Sequence, residues 1–480
     1  MEALYISTLN ILPELSLIIA GLILLLTGPF LKKEENDAGF FITLIGILIA
    51  FYLNFTRFTT PAEAFAGSLS LDSFTAYFNS IFLIGSLISV AFSRDYLKTH
   101  DLRASEFYTL ILFATSGMMF LSSAREFMSL FLSFEIMSIS VYVLTALNRN
   151  SLKSTEAGIK YLILGGFSSA ILLFGIALVY GATGSIVFTD IADAFDYGNP
   201  MLIVGVGLIF IGFIFKIGAF PLHQWVPDIY EGAPVTVTGF MSVGVKAAAF
   251  AVLLRAFLEA FPTFEANWLM ALWVVAVFTM TIGNVSALLQ NNLKRLLAFS
   301  SIAHAGYAII GIASMIGNRE YAFASVNYYL LAYMFMNLGA FGILAYLSKK
   351  ESECETFDQI AGLWDKKPAI ATALTIFMVS LAGIPPFLGF FAKYKIFLSA
   401  IEADLIWLAV IGIINSVISA YYYLKVIVYM YMKENKFDFP QLKVASSVAI
   451  AVLCILNLFL GIFPLHTWDL ALKAANSIPF

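Results

Sequence analysis

Long apolar stretches alternate with short polar segments along the whole chain of 480 residues. Most of the stretches are about 18 to 28 residues long, so that a helix rising about 1.5 Å per residue could cross a hydrocarbon core of about 30 Å. The pattern predicts an all-α polytopic membrane protein of about fourteen transmembrane helices. The predicted helices cover residues 9–31, 40–58, 73–92, 104–123, 127–147, 154–182, 201–220, 236–261, 268–290, 296–316, 321–347, 369–401, 405–432 and 444–463.

Composition supports the lipid bilayer as the solvent of this chain. Hydrophobic residues make up 60% and charged residues 12%, against about 45–50% and 25% in soluble proteins. Only two cysteines and four scattered histidines occur, and no glycine-rich dinucleotide motif follows a strand, so the chain is expected to hold no cofactor and no metal. No basic patch is present, which argues against a nucleic acid partner.

Loop charges predict the orientation, because short cytoplasmic loops are enriched in lysine and arginine. Alternate loops contain most of the basic loop residues, namely Lys32, Lys33, Arg94, Lys98, Arg103, Arg149, Lys153, Lys294, Arg295, Lys349, Lys350, Lys366, Lys367, Lys433, Lys436 and Lys443. The other loops contain Arg57, Arg125, Arg255, Arg319 and Lys473. The first set is predicted to face the cytoplasm. Both termini then lie on the outer side, which requires an even number of helices. The loop after the seventh helix is an exception, since it has no basic residue but contains Asp228 and Glu231.

Apart from the basic residues counted with the loops, six lysines fall inside predicted helices, and so does Glu135. A charge at the bilayer centre costs at least about 2.5–3.5 kcal/mol. Counting about 1.5 Å per residue from the nearest helix end or loop charge puts Glu135, Lys246 and Lys393 about 13–15 Å deep. Lys216 lies deep from the outer side and five residues before Pro221, where the helix should break. We expect functional roles for these four residues, the alternative being static buried ion pairs.

The remaining three lysines are shallower. Lys395 and Lys425 can reach the interface with their amines and are expected to be structural. Lys160 is about 9 Å from the inner helix end, and its role as relay or structural residue is left open.

Buried lysines suit proton transport because a low dielectric disfavours the charged form of a lysine side chain, whereas a nearby carboxylate favours it. Moving Glu135 towards or away from Lys216 would therefore switch the lysine between holding and releasing a proton. His304, about eight residues into the tenth helix, carries the side chain that titrates nearest physiological pH. It is a second relay candidate, with a hydrogen-bonded structural histidine as the alternative.

Two of the predicted helices contain their own interruptions, at residues 215–221 (FKIGAFP) and 383–389 (GIPPFLG). Proline frees backbone carbonyls, and paired broken helices at corresponding positions indicate an inverted repeat with the transport site at the break. We predict two inverted five-helix repeats, helices 4–8 and 9–13, with helices 7 and 12 broken. The predicted domains are a three-helix segment over 1–103, the repeats over 104–261 and 262–432, and a final helix over 433–480.

At these segments the chain resembles the antiporter-like subunits of respiratory complex I, a family related to the Mrp antiporters. The resemblance rests on residues 215–234 (FKIGAFPLHQWVPDIYEGAP), 292–304 (NLKRLLAFSSIAH) and 380–386 (SLAGIPP), and extends from about residue 105 to 432. The YEGAP form, lysine in the twelfth helix, and no long lateral helix after the fourteenth resemble the N-type member rather than the M and L types.

The resemblance implies a role for each buried group. Glu135 and Lys216 would form the input pair, Lys246 the central link and Lys393 the exit, with Lys160 and His304 as relay candidates. It also implies that FMN, iron–sulfur clusters and quinone are bound by partner subunits. Those partners would be other complex I membrane subunits, including the M-type subunit and small membrane subunits, in a bacterial inner membrane.

The predicted function is proton translocation from cytoplasm to exterior as part of an NADH:quinone oxidoreductase, driven by quinone reduction elsewhere in the complex. This chain itself would carry no redox site. A freestanding or Mrp-type cation/proton antiporter subunit is the first alternative. An inert scaffold whose charges only pair helices is the second.

Overall fold

The structure is a computed structural model that describes residues 2–30, 36–350, 352–434, 437–440 and 443–478. Lys32, Lys33 and Lys436 of the loop-charge count lie outside the described residues. Within them the chain is almost entirely helical, apart from one short antiparallel pair of strands, β1 (Ala62–Ala64) and β2 (Leu69–Leu71).

The α-helices are numbered in chain order. They are α1 (Glu2–Asn10), α2 (Leu12–Thr27), α3 (Asn36–Phe55), α4 (Ser73–Thr99), α5 (Ala104–Ser123), α6 (Phe127–Thr145), α7 (Leu152–Thr183), α8 (Phe188–Asp193), α9 (Pro200–Ile217), α10 (Trp225–Gly232), α11 (Val235–Phe240), α12 (Lys246–Ala260), α13 (Glu265–Leu288), α14 (Leu293–Ala313), α15 (Arg319–Leu347), α16 (Phe357–Ile360), α17 (Leu363–Lys366), α18 (Pro368–Ala382), α19 (Leu388–Glu402), α20 (Ile406–Met432), α21 (Val444–Ile462) and α22 (Leu465–Ala475).

Thirteen helical segments of the described residues are long and apolar enough to cross a membrane, and α18 is a shorter apolar helix. The two ends of the chain meet at one face of the bundle, where Asn10 donates to the carbonyl of Glu63 and Lys473 donates to the carbonyl of Phe58. Both ends on one face require an even number of crossings. We therefore count α18 and α19 together as the fourteenth, and the prediction of an all-α polytopic membrane protein is confirmed.

The centre of the bundle consists of α11 to α12, α14 and α15, whose membrane-spanning parts are almost completely buried by other helices. The surrounding helices α2, α3, α7, α20 and α21 expose large apolar side chains on their outer faces. Outward apolar faces need no partner in a hydrocarbon solvent, whereas polar side chains do. Buried polar groups of the described residues accordingly lie where neighbouring helices cover them, both on the central helices and on α2 and α3, where Glu14 and Asn54 are buried.

Both predicted breaks are present, and a glycine ends the helix at each. Gly218 follows α9 with φ +73°, and Gly383 follows α18 with φ +86°. This left-handed conformation suits glycine, because a side chain there meets the backbone. The peptide bonds Phe220–Pro221 and Pro385–Pro386 are cis. The inverted repeat and the four domain boundaries stay predictions.

A third irregularity lies in the crossing formed by α11 and α12. Residues Met241–Val245 form a single π-helical turn, and Lys246 follows directly. Such turns widen a helix locally and occur often at functional sites.

Candidate functional site

Lys216 is buried near the end of α9, with 1% of its surface exposed. Its Nζ atom donates a hydrogen bond of 2.7 Å to Oγ of Ser138 on α6. The same ammonium lies 4.8 Å from the ring centre of Phe134 and 5.3 Å and 5.5 Å from the rings of Tyr142 and Tyr161. Aromatic faces attract a cation without neutralising it. The protonated form of Lys216 is thus solvated by one hydroxyl and three rings.

Glu135 is one helical turn from Ser138 on α6, so the two side chains lie on neighbouring parts of one face. Oε1 of Glu135 accepts a hydrogen bond of 2.5 Å from Ser169 on α7. The carboxylate is close enough to interact electrostatically with Lys216. However, Glu135 and Lys216, both within the described residues, form no ion pair in this structure. The sequence therefore correctly placed Glu135 and Lys216 near each other. In the structure, however, the hydrogen bond of Lys216 goes to Ser138 and not to Glu135.

Lys246 follows the π-helical turn at the centre of the bundle and is 3% exposed. Its Nζ atom donates to Ser301 on α14 twice, to the carbonyl oxygen at 2.6 Å and to Oγ at 2.5 Å. A cavity of about 10 Å³ is lined by both Lys246 and His304. A space of this size accommodates about one water molecule.

His304 is buried on α14, and both of its ring nitrogens have hydroxyl partners. Nδ1 lies 2.6 Å from the hydroxyl of Tyr329, and Nε2 lies 3.0 Å from the hydroxyl of Tyr423. Tyr423 also contacts Ser300 at 2.5 Å. A hydroxyl can donate or accept, so this set can exchange a proton at either nitrogen.

Lys393 lies in α19, the helix after the second break, and is 4% exposed. Its Nζ atom donates to the carbonyl of Ala382 at 3.0 Å and to Oγ of Ser416 at 2.9 Å. The ammonium also lies 4.9 Å from the ring centre of Tyr307. The carbonyl of Ala382 is available because Pro385 and Pro386 cannot continue the hydrogen-bond ladder of α18.

Helix α14 connects the central lysine to the lysine of the second break. Ser301, His304 and Tyr307 are spaced three residues apart, so they lie along one side of the helix over about 9 Å. Ser301 binds Lys246, and the ring of Tyr307 faces Lys393. Among the described residues, hydrogen bonds between side chains do not connect Lys216 directly to Lys246.

Lys160 is in a different environment from the three buried lysines. It forms ion pairs with Glu156 at 2.8 Å and Asp228 at 3.5 Å, and 43% of its side chain is exposed. Asp228 also binds Arg295 at 2.8 Å. Lys160 therefore belongs to a charged cluster at the end of the bundle where the lysine-rich loops lie, here called the basic face.

Several buried charges were missed because the sequence analysis counted them as loop residues. Arg57 makes a bidentate contact with Glu14 at 2.7 Å, and Arg255 binds Asp72 at 2.8 Å. Lys294 has a fully buried side chain and binds Glu353 at 2.6 Å. Counting these residues as loop charges was wrong, since packing covers the helix ends on which they lie.

These missed charges differ from the lysines of the site in one respect: each has a carboxylate partner. Lys216, Lys246 and Lys393 have none within 4.0 Å among the described residues, and bind only hydroxyl and carbonyl oxygens. At these three positions the described residues therefore contain no static buried ion pair, which was the alternative to a functional role.

Glu353 lies outside the membrane-spanning segments, in the loop after α15. Burial acts to raise the pKa of Glu353, but the Lys294 ammonium, the Tyr96 hydroxyl and the backbone amide of Val235 outweigh it and lower that pKa. The lowered pKa favours the ionised form of Glu353, which pairs with Lys294.

Sequence analysis did not identify the hydroxyl partners Ser138, Ser301, Ser416, Tyr329 and Tyr423. Ser138 and Ser301 gave a local signal, because each lies three residues from a candidate residue on the same helix face, Glu135 and His304 respectively. The other partners come from distant parts of the chain and depend on how the helices pack.

The comparisons with known proteins agree with the resemblance found in the sequence. A family model described as NADH:quinone oxidoreductase/Mrp antiporter, TM, matches residues 124–419. NADH-quinone oxidoreductase subunit N of Trichlorobacter lovleyi is 44% identical over 474 residues, which is 98% of this chain and 97% of that protein.

Solved structures share the fold. A chain of respiratory complex I from Thermus thermophilus aligns with a TM-score of 0.81 at 31% identity, covering 95% of this chain and 99% of that one. A chain of the Mrp complex from Dietzia sp. aligns with a TM-score of 0.85 at 21% identity, covering 98% and 97%. The second likeness shows the fold alone. The chain belongs to the family of NADH:quinone oxidoreductase and Mrp antiporter membrane subunits, and within it is similar to NADH-quinone oxidoreductase subunit N.

Proposed function

We propose that this chain is a proton-translocating membrane-arm subunit of an NADH:quinone oxidoreductase. The observation that supports this most directly is the state of Lys216, Lys246 and Lys393. All three are at least 96% buried, and all three bind only neutral oxygen atoms of the described residues. A buried ammonium without a carboxylate is costly, and becoming a neutral amine relieves that cost.

A lysine in such a site can cycle between two states. The neutral amine takes a proton from one side and becomes an ammonium, and it returns to the amine when the proton passes to the next group. Glu135 would set the proton affinity of Lys216, because its negative charge favours the ammonium. We propose the order Glu135 and Lys216, then Lys246, then His304, then Lys393, with transfer from the cytoplasm to the exterior.

The contacts on α14 support the second half of this order. Ser301 contacts Lys246, His304 follows one turn later, and Tyr307 contacts Lys393 one turn after that. Hydroxyl and imidazole groups can pass a proton along such a line, with water in the intervening cavity. The relay role of Lys160 is less supported, because its exposed ion pairs with Glu156 and Asp228 hold it at the basic face.

The relatives support the setting of this activity. A chain 44% identical is named a subunit of NADH-quinone oxidoreductase, and a similar chain is part of a respiratory complex I. We therefore propose that the partners are the other membrane subunits of such a complex, including the M-type and small subunits. FMN, iron–sulfur clusters and quinone would be bound by those partners. The membrane would be a bacterial inner membrane, with the basic face towards the cytoplasm and both termini outside.

The test uses the intact complex reconstituted in liposomes. Lys216→Ala is expected to lower proton pumping per NADH oxidised while the complex still assembles. Lys425→Ala is the matched control, because Lys425 is only partly buried and binds the carbonyl of Gln290. Pumping by Lys216→Ala at the rate of the unsubstituted complex would refute the proposal.

A cation/proton antiporter subunit is the second candidate, supported by the matching family model, whose description names the Mrp antiporter beside NADH:quinone oxidoreductase. An experiment with the chain purified alone and reconstituted in liposomes distinguishes the antiporter from the complex I subunit. Exchange of Na+ for H+ by the isolated chain would favour the antiporter. Pumping only in the presence of the redox subunits would favour the first proposal.

A further inference from the structure

Helix α10 follows the first break and packs against both α7 and α14. It thereby lies between the helix that borders Lys216 and the helix whose Ser301 contacts Lys246. Two buried tyrosines occupy this region, Tyr161 on α7 and Tyr230 on α10, with 0% and 1% of their surface exposed. Neither tyrosine has a role in the order of transfer proposed above.

Tyr161 borders Lys216 on one side. Its ring centre lies 5.5 Å from Nζ of Lys216. Its hydroxyl is buried and has no hydrogen-bond partner among the described residues. Because a buried polar group without a partner is unfavourable, such a hydroxyl usually contacts a water molecule. The hydroxyl of Tyr161 can therefore exchange a proton with the lysine through water.

Trp225, the first residue of α10, packs against both tyrosines. Its ring stacks on that of Tyr161 with the centres 4.9 Å apart, and it meets the ring of Tyr230 edge-on at 6.5 Å. Its Nε1 atom donates a hydrogen bond of 3.0 Å to the carbonyl of Phe215, which fixes the indole beside Lys216 at the end of α9. Tyr161 and Tyr230 are consequently close enough to interact electrostatically.

Tyr230 extends this series to the serine that binds the central lysine. The hydroxyl of Tyr230 interacts with the side chain of Ser301. Oγ of Ser301 in turn accepts the hydrogen bond of 2.5 Å from Nζ of Lys246. Each side chain of the series is thus in contact with the next or within its electrostatic range, in the order Lys216, Tyr161, Tyr230, Ser301 and Lys246.

We infer that Tyr161 and Tyr230 carry the proton between Lys216 and Lys246. Each hydroxyl accepts a proton on its oxygen and releases its own proton to the next oxygen, so both tyrosines are neutral before and after the transfer. Lys216 changes from ammonium to amine, and Lys246 changes from amine to ammonium. The inference rests on the proposed function and adds two proton-carrying residues to it.

The first test removes each hydroxyl in the intact complex reconstituted in liposomes. Tyr161→Phe and Tyr230→Phe keep the aromatic rings, and we expect each to lower proton pumping per NADH oxidised several-fold. Tyr161→Phe removes a hydroxyl without a partner, so assembly and thermal stability should be unchanged in that variant. Tyr328→Phe is the matched control and should pump normally. Its hydroxyl is also buried without a partner among the described residues, but its ring packs on Trp468.

The second test combines the two substitutions, because a shared path and two separate effects on packing give different results. If both tyrosines belong to one path, either substitution interrupts it. The double variant should then pump no less than the weaker of the two single variants. Independent effects on packing would instead multiply the two losses. A double variant whose loss is the product of the single losses would overturn the inference.

Lys216→Ala, measured in parallel, distinguishes failure of this inference from failure of the proposed function. Normal pumping by either single tyrosine variant, or an equal loss in Tyr328→Phe, would overturn the role of the two tyrosines. If Lys216→Ala stops pumping in that case, the proposed function stands and water alone connects the two lysines. If Lys216→Ala pumps normally, the proposed function itself fails.

Discussion

The ammonium of Lys393 and the carbonyl of Ala382 are 3.0 Å apart across the second helix break. Ala382 is the last residue of α18, where unpaired carbonyls and the helix dipole both favour a cation. Gly383 makes the contact possible, because a Cβ atom there would lie 2.8 Å from Cδ of Lys393. The break thus supplies both the acceptor and the space for the lysine.

The first prediction distinguishes a proton carrier from a fixed charge at Lys393. Lys393→Arg keeps the positive charge, but a guanidinium does not release its proton in proteins. We expect proton pumping to fall at least several-fold while the complex assembles, as measured by pumping in liposomes and by gel analysis of the complex. Lys395→Arg, two residues away over the rings of Trp468 and Tyr321, is the control and should pump normally. Normal pumping by Lys393→Arg would show that Lys393 acts as a fixed positive charge and does not carry a proton.

The second prediction concerns the two hydroxyl partners of His304. His304→Ala leaves the hydroxyl of Tyr329 without its imidazole partner, whereas Tyr423 keeps its contact with Ser300. Pumping should fall strongly, and stability should fall by about 1–3 kcal/mol for the unsatisfied hydroxyl of Tyr329. Tyr423→Phe should lower pumping less, because the contact with Tyr329 remains. The control is Tyr333→Phe, since Tyr333 packs on the same imidazole but its hydroxyl has no partner among the described residues. Equal pumping by His304→Ala and the unsubstituted complex would assign His304 to structure alone.

The third prediction separates structural charges from working ones. Arg255 is fully buried and binds Asp72 and Glu259. Arg255→Ala leaves the Asp72 carboxylate without its cation, while Glu259 keeps its ion pair with Arg125 at 2.9 Å. Breaking the buried pair with Asp72 should cost about 3–5 kcal/mol. A clearly lower unfolding temperature or failed assembly is expected, whereas Arg103→Ala, at an exposed pair with Glu106, should change little. A thermal stability scan of the purified complex measures both. An Arg255→Ala complex as stable as the unsubstituted one would contradict this account.

The fourth prediction tests the glycine at the first break. Gly218 has φ +73°, and a Cβ atom there would lie 2.6 Å from Cγ2 of Val226. Gly218→Ala should therefore destabilise the chain by about 1 kcal/mol or more. Gly207→Ala in the same helix α9 is the matched control, because no atom lies within 4 Å of its added methyl group. Helix propensity alone should make that variant neutral or slightly more stable. Thermal unfolding that ranks the two variants in the opposite order would contradict the prediction.

The sequence by itself determined the membrane character and both helix breaks, and it predicted about fourteen crossings and the depth of Lys216, Lys246 and Lys393. These features depend on local properties. A run of apolar residues sets a crossing, Gly218 and Gly383 with the prolines after them end a helix, and counting along a helix gives depth. Distances along one helix need no knowledge of its neighbours.

Only the tertiary structure decided which groups these lysines contact. Ser138 is 78 positions from Lys216, and Tyr423 is 119 positions from His304. Neither contact follows from spacing, because it depends on how separate helices pack and rotate. Packing also decided that Arg255 is paired with Asp72, 183 positions away, and that Lys216 is not paired with a carboxylate. The sequence does not show whether a buried charge has a carboxylate partner. The presence or absence of that partner distinguishes the structural charges from the candidate relay lysines.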